Sequence, residues 1–211
     1  ADTNGDGLLE WWGVSKPYLG SSSATLVRKE YDTQTSSFTT ENFTSAPTHV
    51  IDKGDVNGDG LDDVVGSFDQ YEYYDTYQGI INGAGGIWAF YGDSQGVDSN
   101  SSWEAYGEDS SVKLGTNIDI LDVDGDDIDD ILVSGWAGGF LFYGALQSYT
   151  DSNGNPRDPR SSDAEAVIEF GNTLYRGVQN AGDQNQDGFD DFLIGGNYQK
   201  TEIYLFFGGE N

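Results

Sequence analysis

Short apolar runs that end in glycine recur along the chain and predict β-strands. Runs rich in β-branched and aromatic residues, bounded by glycine, favour strands over helices. One set begins with two acidic residues: DDVVGSF (62–68), DDILVSGW (129–136) and DDFLIGGN (190–197). A second set is aromatic: GIWAFYGD (86–93), GFLFYGA (139–145) and EIYLFFGG (202–209), with a weaker version, SATLVRKEY, at 23–31.

Two further sets of runs complete a unit of four strands. One precedes the acidic runs: THVIDKGD (48–55), TNIDILD (116–122) and YRGVQNAGD (175–183). The other is interpreted as an outer strand: SFTTENF (37–43), SSWEAYGE (101–108) and AVIEFG (166–171). A repeat of roughly 60 residues made of four short strands is typical of a propeller blade or a β array. We therefore expect an all-β fold.

A nine-residue loop has oxygen-bearing side chains at positions 1, 3, 5 and 9. Its last two residues are the acidic pair that begins each acidic run, and a further copy opens the first unit. The four copies are DTNGDGLLE from Asp2, DVNGDGLDD from Asp55, DVDGDDIDD from Asp122 and DQNQDGFDD from Asp183. Such oxygens suit Ca²⁺, which takes about six to eight of them. We predict up to four Ca²⁺ sites, with position 7 offering its backbone carbonyl. The predicted ligands are Asp2, Asn4, Asp6, Leu8 and Glu10; Asp55, Asn57, Asp59, Leu61 and Asp63; Asp122, Asp124, Asp126, Ile128 and Asp130; and Asp183, Asn185, Asp187, Phe189 and Asp191.

These loops are not EF-hands. An EF-hand has a bidentate glutamate at position 12 and flanking helices, and the dockerin variant has an aspartate there. Here position 12 is Gly13, Gly66, Val133 or Ile194, and a predicted strand follows each loop. Close carboxylates repel one another without a cation, so the calcium-free protein is predicted to be destabilised at neutral pH. The third loop has the most carboxylates and on charge alone is predicted to bind tightest.

The loop motif, repeated four times in register, resembles that of FG-GAP repeats, the blades of the integrin alpha-chain β-propeller and of many bacterial secreted proteins. The resemblance covers essentially the whole chain and includes aromatic-glycine ends such as Phe90-Tyr91-Gly92. It implies one β-propeller domain over residues 1–211, with four-stranded antiparallel blades in about four units: 1–46, 47–110, 111–171 and 172–211. Three residues depart from the pattern: Asp127 replaces the turn glycine, Gln186 the glycine at position 4, and Glu10 the aspartate at position 9.

Counting strands predicts an incomplete propeller. The units hold three, four, four and three predicted strands, and the two ends do not complete one another. Open blade edges promote aggregation. We therefore expect a segment of a larger propeller, completed by further sequence or by other copies of the chain, rather than a closed ring of four blades.

Composition restricts the partners. The 37 acidic and 9 basic residues give a net charge of −28. A surface this acidic repels nucleic acid and anionic membranes, which need basic residues to displace counterions. It is interpreted as a solvated coat suited to calcium-rich or salty surroundings, with a patch for a cationic partner as the alternative. No apolar run approaches the roughly 18 residues of a membrane span. The chain has no cysteine, which excludes disulfides and thiolate sites.

In the family that the chain resembles, the face opposite the Ca²⁺ loops recognises ligands, so the longest loops of that face are the candidates. The segment 67–78 carries four tyrosines, Tyr71, Tyr73, Tyr74 and Tyr77. Tyrosine-rich loops form broad, rigid contact surfaces for protein or carbohydrate ligands. The alternative is that the tyrosines pack over a neighbouring blade.

Catalysis has little support. The one histidine, His49, is interpreted as a packed or edge residue, and Ca²⁺ ligation explains the paired carboxylates. We expect a non-catalytic extracellular or cell-surface module for adhesion or recognition of protein or glycan ligands. The alternatives are a domain of a secreted polysaccharide-degrading enzyme and a structural subunit of a surface layer or filament. Sequons at Asn42 and Asn100 permit N-glycosylation in a secreted protein.

Overall fold

The computed structural model describes the backbone of segments 11–15, 25–32 and 37–43, and residues 50–75, 78–94, 96–97, 100–168, 177–195 and 202–210. Apart from the short 3₁₀ helix Ser161–Asp163, the regular elements of these segments are strands. They are β1 (Trp11–Ser15), β2 (Thr25–Asp32), β3 (Ser37–Phe43), β4 (Val50–Gly54), β5 (Asp63–Phe68), β6 (Tyr73–Asp75), β7 (Gly79–Ile81), β8 (Gly86–Phe90), β9 (Gly92–Asp93), β10 (Gly96–Val97), β11 (Trp103–Tyr106), β12 (Asn117–Leu121), β13 (Asp130–Ser134), β14 (Gly139–Phe142), β15 (Tyr149–Thr150), β16 (Pro156–Arg157), β17 (Ala166–Ile168), β18 (Gly177–Gly182), β19 (Asp191–Gly195) and β20 (Ile203–Phe206). No helix in the described segments is long and apolar enough to cross a membrane.

The strands form antiparallel sheets, so the all-β prediction is confirmed. The main sheets have three, four, four and three strands, in the orders β1–β2–β3, β4–β5–β8–β11, β12–β13–β14–β17 and β18–β19–β20. They are called the first to fourth sheets, and each lies within one of the four units. Small two-stranded sheets join β6 to β7, β9 to β10 and β15 to β16. None of the described sheets is closed.

The sheets stand next to one another through their first strands. β12 contacts β4 on one side and β18 on the other. Two side chains bridge these strands in the same way. Oδ2 of Asp52 accepts a hydrogen bond from the N–H of Ile120 (2.9 Å), and Oδ2 of Asp119 accepts one from the N–H of Asn180 (2.8 Å). The second, third and fourth sheets therefore repeat a single contact.

The apolar core lies between the sheets. Successive side chains of a strand point to opposite faces, so Val64 and Val65 of β5 enter different buried clusters. Val65 packs with Ile131 and Phe142 of the third sheet, whereas Leu132 of β13 joins the cluster shared with the fourth sheet. Strands buried on both faces need apolar residues at consecutive positions, which accounts for the continuous runs in the sequence.

A long connection from β14 to β17 covers the outer strand of the second sheet. The N–H of Tyr106 in β11 donates to the carbonyl of Pro159 (3.1 Å), and the N–H of Glu108 donates to Oγ of Ser161 (3.1 Å). An exposed sheet edge invites pairing with other chains. In the second sheet that edge is covered by a segment of the third unit.

Candidate metal centres

The loop 55–63 folds around the carboxylate at its first position. Oδ1 of Asp55 accepts hydrogen bonds from the N–H groups of Gly58 (2.8 Å) and Asp59 (3.0 Å), and its Oδ2 accepts one from Gly60 (2.7 Å). Aspartate stabilises turns in this way because its short side chain reaches nearby N–H groups. The backbone is thereby wrapped around a carboxylate.

The other two described loops repeat these bonds. Asp122 accepts hydrogen bonds from the N–H groups of Gly125 (2.7 Å) and Asp127 (3.1 Å). Asp183 accepts one from the N–H of Gly188 (3.0 Å). The sequence repeat is therefore a repeat of backbone geometry.

Positions 4 and 6 of the three described loops lie in the left-handed backbone region, which explains why glycine is frequent there. Asp127 adopts this conformation, as expected for a residue that replaces the turn glycine, and so does Gln186. Aspartate reaches this region at modest cost, whereas glutamine is a less common choice. The φ angles are +77° at Gly58, +87° at Gly60, +77° at Gly125, +65° at Asp127, +64° at Gln186 and +99° at Gly188.

The carboxylate at position 9 is buried and accepts two backbone N–H groups. One comes from position 2 of the same loop, and the other from the glycine after the third strand of the unit. The pairs are Val56 (3.0 Å) and Gly92 (2.8 Å) on Asp63, Val123 (2.8 Å) and Gly144 (2.8 Å) on Asp130, and Gln184 (2.8 Å) and Gly208 (3.1 Å) on Asp191. Sequence reasoning did not assign these glycines a role in the loops, although their recurrence after each aromatic strand was a usable signal.

Position 3 distinguishes the third loop from its neighbours. The amide of Asn57 donates to Oδ2 of Asp59 (3.1 Å), and that of Asn185 donates to Oδ2 of Asp187 (2.7 Å). As a carboxylate, Asp124 has no proton to donate. Its Oδ1 is buried and has no hydrogen-bond partner among the described residues. A buried acceptor of this kind is commonly satisfied by an ordered water or an ion.

Three carboxylates of the third loop converge. Asp122, Asp124 and Asp130 each place an oxygen within 4.8 Å of the others. Burial raises the pKa of Asp130 to about 7, and the charges of Asp124 and Asp122 add to the increase. Burial, followed by the charges of Asp126 and Asp122, also raises the pKa of Asp124. A cation among these oxygens would offset both the burial and the repulsion.

The second loop shows the same electrostatics in a milder form. Burial raises the pKa of Asp63 to about 7, with the charges of Asp59 and Asp55 as further causes. No convergent set of three acidic or histidine ligands is found in this loop, because Asn57 stands at position 3, where the third loop has Asp124. An asparagine still offers a neutral oxygen, so the loop keeps a donor at position 3.

The donor chemistry of the loops fits a hard divalent cation. Positions 1, 3, 5 and 9 of the described loops offer only carboxylate and amide oxygens, which suit Ca²⁺ better than the softer transition metals. At position 7, the N–H of Leu61 donates to Oδ1 of Asp59 (2.9 Å), and the N–H of Ile128 donates to Oδ1 of Asp126 (2.9 Å). The Phe189 N–H repeats this bond to Asp187 (3.2 Å).

Neighbouring loops are joined through their backbones. The N–H of Asp129, at position 8 of the third loop, donates to the carbonyl of Asp55, at position 1 of the second (3.0 Å). The N–H of Asp190 repeats this bond to the carbonyl of Asp122 (2.9 Å). The three described loops therefore form a continuous row along one edge of the sheets.

Six of the predicted site residues lie outside the described part of the chain. They are the whole first loop, with Asp2, Asn4, Asp6, Leu8 and Glu10, and the tyrosine Tyr77. His49 is outside it as well.

The tyrosines predicted to bind a ligand divide into packed and exposed residues. The ring of Tyr73 stacks on that of Tyr106, with 4.0 Å between centroids. Tyr71 meets Trp88 edge to face at 4.9 Å. Tyr74, by contrast, is 68% exposed. Packing within the second sheet thus involves Tyr71 and Tyr73, while Tyr74 is accessible to a ligand.

A cleft of about 590 Å³ opens beside Tyr73, between the β6–β7 hairpin and the segment 151–162. The guanidinium of Arg160 lies over the ring of Tyr73, with 4.3 Å from Cζ to the centroid, and pairs with the buried Asp75. The Tyr73 hydroxyl donates to Oδ2 of Asp158 (3.0 Å). Since β5 begins at the second loop and ends near this hairpin, the cleft and the loop lie at opposite ends of the sheet.

A scan of protein-family models finds no match for the chain, and a search of curated proteins finds no similar sequence.

Proposed function

We propose that the chain is a calcium-binding module of the β-propeller type. In this proposal it acts outside the cell or at its surface, in adhesion or in recognition of protein or glycan ligands, and catalyses no reaction. The observation that carries the proposal is the buried Oδ1 of Asp124, which has no partner among the described residues and lies beside Asp122 and Asp130. A Ca²⁺ ion in the loop would supply that partner and offset three converging charges.

In each loop the side chains at positions 1, 3, 5 and 9 and the carbonyl at position 7 would hold the ion. Bound there, Ca²⁺ neutralises carboxylates. The protein residues hold the loop in place. Position 1 holds the turn together, and position 9 ties the loop to the glycine after the third strand, as Asp130 does to Gly144. The ion would thus link three strands of a unit at one point.

The repetition between sheets supports the propeller architecture. The second, third and fourth sheets are antiparallel, their first strands adjoin, and the same loop-to-loop hydrogen bond joins each to the next. Propeller blades are short sheets placed side by side around an axis with their first strands innermost. We propose that these sheets are consecutive blades of such an array.

The cleft beside Tyr73 lies at the end of the second sheet opposite the loop 55–63. It supports a role of that end in ligand recognition. Its lining offers both hydrogen-bond donors and acceptors, among them Gln78, Glu108, Asn155 and Arg160. A polar ligand without a large negative charge, such as a neutral glycan or a peptide, is compatible with a protein of net charge −28. Tyr74 lies on the hairpin that forms one wall and provides an exposed ring.

Calcium titration by isothermal calorimetry tests the metal sites. Protein stripped with a chelator should bind Ca²⁺, and the variant Asp124→Ala should lose the contribution of one site. Asp127→Gly is the matched control, because it removes a carboxylate from the same loop at a position outside the proposed ligand set. If both variants bind the same number of Ca²⁺ ions, or if the parent protein binds none, the proposal is contradicted.

Retention on immobilised glycans and glycoproteins, followed by analysis for cleavage products, tests the recognition role. We expect binding without turnover, weakened by Tyr74→Ala. Val167→Ala serves as the control, since Val167 is 43% exposed but lies on β17 of the third sheet. Cleavage of any polysaccharide would instead support the enzymatic alternative.

A further inference from the structure

The fourth sheet leaves uncovered a face that the second and third sheets have buried. Three cross-strand pairs hold the same register position, two residues after the last aspartate of each loop. They are Val65–Ala89, Leu132–Leu141 and Leu193–Leu205. No residue of the first two pairs is more than 3% exposed, because the following sheet covers them, whereas Leu205 is 43% exposed.

The exposure continues along β20. Ile203 is 69% exposed and Phe207, directly after the strand, is 60% exposed. Alternate residues of a strand face the same side, so these two residues and Leu205 form one apolar stripe, called the β20 stripe. In the described part of the chain β20 is also the last strand of its sheet, whereas β8 and β14 continue to β11 and β17. Such a stripe on an edge strand is suited to pairing with another sheet.

The contacts between neighbouring sheets are here called seams. The fourth loop offers the backbone acceptors that the second and third loops use at the seams within the chain. The equivalent carbonyls are those of Asp183 and Gln184, both exposed, for which the described residues provide no N–H donor. At the two seams within the chain, positions 1 and 2 of a loop receive N–H groups from the next unit. The bonds are Asp129 to Asp55 (3.0 Å), Ala145 to Val56 (3.0 Å), Asp190 to Asp122 (2.9 Å) and Gly209 to Val123 (3.0 Å).

We propose that the β20 stripe and the fourth loop bind the first sheet, β1–β3, of a second copy of this chain. The first sheet shares sequence features with the third and fourth sheets, which fill the two seams within the chain. The loop 2–10 directly precedes β1 and has an apolar Leu8 at position 7. By register, Trp11 holds the position of Ile131 and Phe192, which pack toward the preceding sheet.

The contact is head to tail, because the two surfaces lie on different sheets of each copy. A heterologous contact of this type leaves one surface of each kind free at the ends, so assembly continues beyond a dimer. The net charge of −28 per copy opposes association, and bound Ca²⁺ or added salt reduces that repulsion. The inference rests on the proposed function in this respect, since Ca²⁺ bound by the loop 2–10 would also reduce the negative charge of the incoming surface.

The side chain of Gln186 weakens the proposed contact between the fourth loop and an incoming loop 2–10. At the two seams within the chain, position 4 is a glycine covered by the next loop. A Cβ at Gly58 would lie 2.9 Å from Ile128, and one at Gly125 would lie 2.6 Å from Phe189. Gln186 has a side chain at this position, so an incoming Leu8 has to be displaced. Gln186→Gly should therefore tighten the association.

Sedimentation velocity of the whole chain in 1 mM Ca²⁺, over micromolar to submillimolar concentrations, tests the inference. The parent protein should show larger species as concentration rises. Leu205→Glu should raise the dissociation constant at least tenfold, and Gln186→Gly should lower it. Val167→Glu is the matched control, because Val167 is also 43% exposed but lies on β17 of the third sheet. A parent protein that is monomeric throughout, or equal loss of association in both glutamate variants, would overturn the inference.

A mixing experiment identifies the occupant. Leu8→Glu and Leu205→Glu proteins should each be monomeric, and their mixture should form 1:1 dimers and nothing larger, since one intact surface of each kind remains. Dimers of the Leu8→Glu protein alone would instead indicate that two β20 edges pair with each other. Calorimetry on the parent protein separates the two proposals: a parent protein that stays monomeric but binds Ca²⁺ removes the assembly only, whereas assembly without Ca²⁺ binding removes the metal sites only.

Discussion

The loops 55–63 and 122–130 have the same backbone turn, and among the proposed ligand side chains at positions 1, 3, 5 and 9 they differ only at position 3. In the first, the amide of Asn57 donates to Asp59 and satisfies part of the carboxylate charge within the protein. In the second, Asp124 adds a carboxylate and leaves a buried oxygen without a partner among the described residues. The substitution at position 3 thus separates a loop that satisfies part of its polarity within the protein from one that, under the proposed function, would rely on a cation. We expect affinity for an ion and stability without it to be opposed in these loops.

The addition of Ca²⁺ should change stability more than any substitution considered below. A ligand bound only by the folded state adds about 2.7 kcal/mol per site at a hundredfold excess over Kd. We expect a calcium-dependent rise in Tm of many degrees. Amide hydrogen exchange should show greater added protection in the loop 122–130 than in 55–63. Equal protection of the two loops would remove the distinction drawn from position 3.

The next largest effect tests, in the loop 183–191, the glycine anchor that all three described loops share. A Cβ at Gly208 would lie 2.5 Å from the carbonyl oxygen of Asp190 and 2.6 Å from that of Val123, whereas one at Gly209 would meet open space. Gly208→Ala should lower the free energy of unfolding by about 1–3 kcal/mol, as overpacking does. Gly209→Ala, the neighbouring control, should change it little. Urea unfolding measures both, and similar losses would show that the glycine after the third strand is not a specific anchor.

Exchanging position 3 between the loops should reverse their behaviour. Asp124→Asn provides an amide donor, so the calcium-free protein should gain about 1 kcal/mol of stability while the affinity for Ca²⁺ falls. Asn57→Asp should do the opposite in the second loop. Thermal unfolding without Ca²⁺ and calorimetric titration with it measure the two sides. Changes of the same sign in both variants would contradict the proposed opposition of affinity and stability.

The smallest effect comes from a carboxyl pair outside the loops. Burial, and then the hydrogen bond with Asp119, raises the pKa of Asp52 to about 6. Folding therefore favours the protonated form, and its stabilisation, full below about pH 4, is lost as the pH rises through about 6. Asp52→Asn keeps an acceptor for the N–H of Ile120 and should remove a loss of about 1 kcal/mol. Unfolding in Ca²⁺ at pH 4 to 7 should show the two proteins diverging, and parallel curves would exclude a role for this pair.

The sequence was sufficient for those features that depend on neighbouring residues. Apolar runs between glycines predicted the strands of all four main sheets, because strand pattern and turn chemistry are local. The same holds for the turn geometry of the described loops, including the left-handed conformation of Asp127. Each of these features is encoded within about ten residues.

Features set by contacts between distant residues could not be predicted. Nothing local indicates that the segment before β17 covers β11, or that Tyr73 stacks on Tyr106 rather than facing solvent. The bonds from Gly92 and Gly144 to the loop aspartates span 29 and 14 residues. A periodic pattern identifies such residues as recurrent but does not identify their partners.

The row of loops has a consequence for how the protein would respond to calcium. The carbonyl of Asp122 accepts the N–H of Asp190, and the carbonyl of Asp55 accepts that of Asp129, so the order of one loop depends on that of the next. An ion that fixes the middle loop therefore lowers the cost of ordering both neighbours, which is positive cooperativity. We expect a Hill coefficient above one. The protein would then act as a threshold sensor that fills its sites over a narrow range of calcium concentration, instead of as a graded buffer.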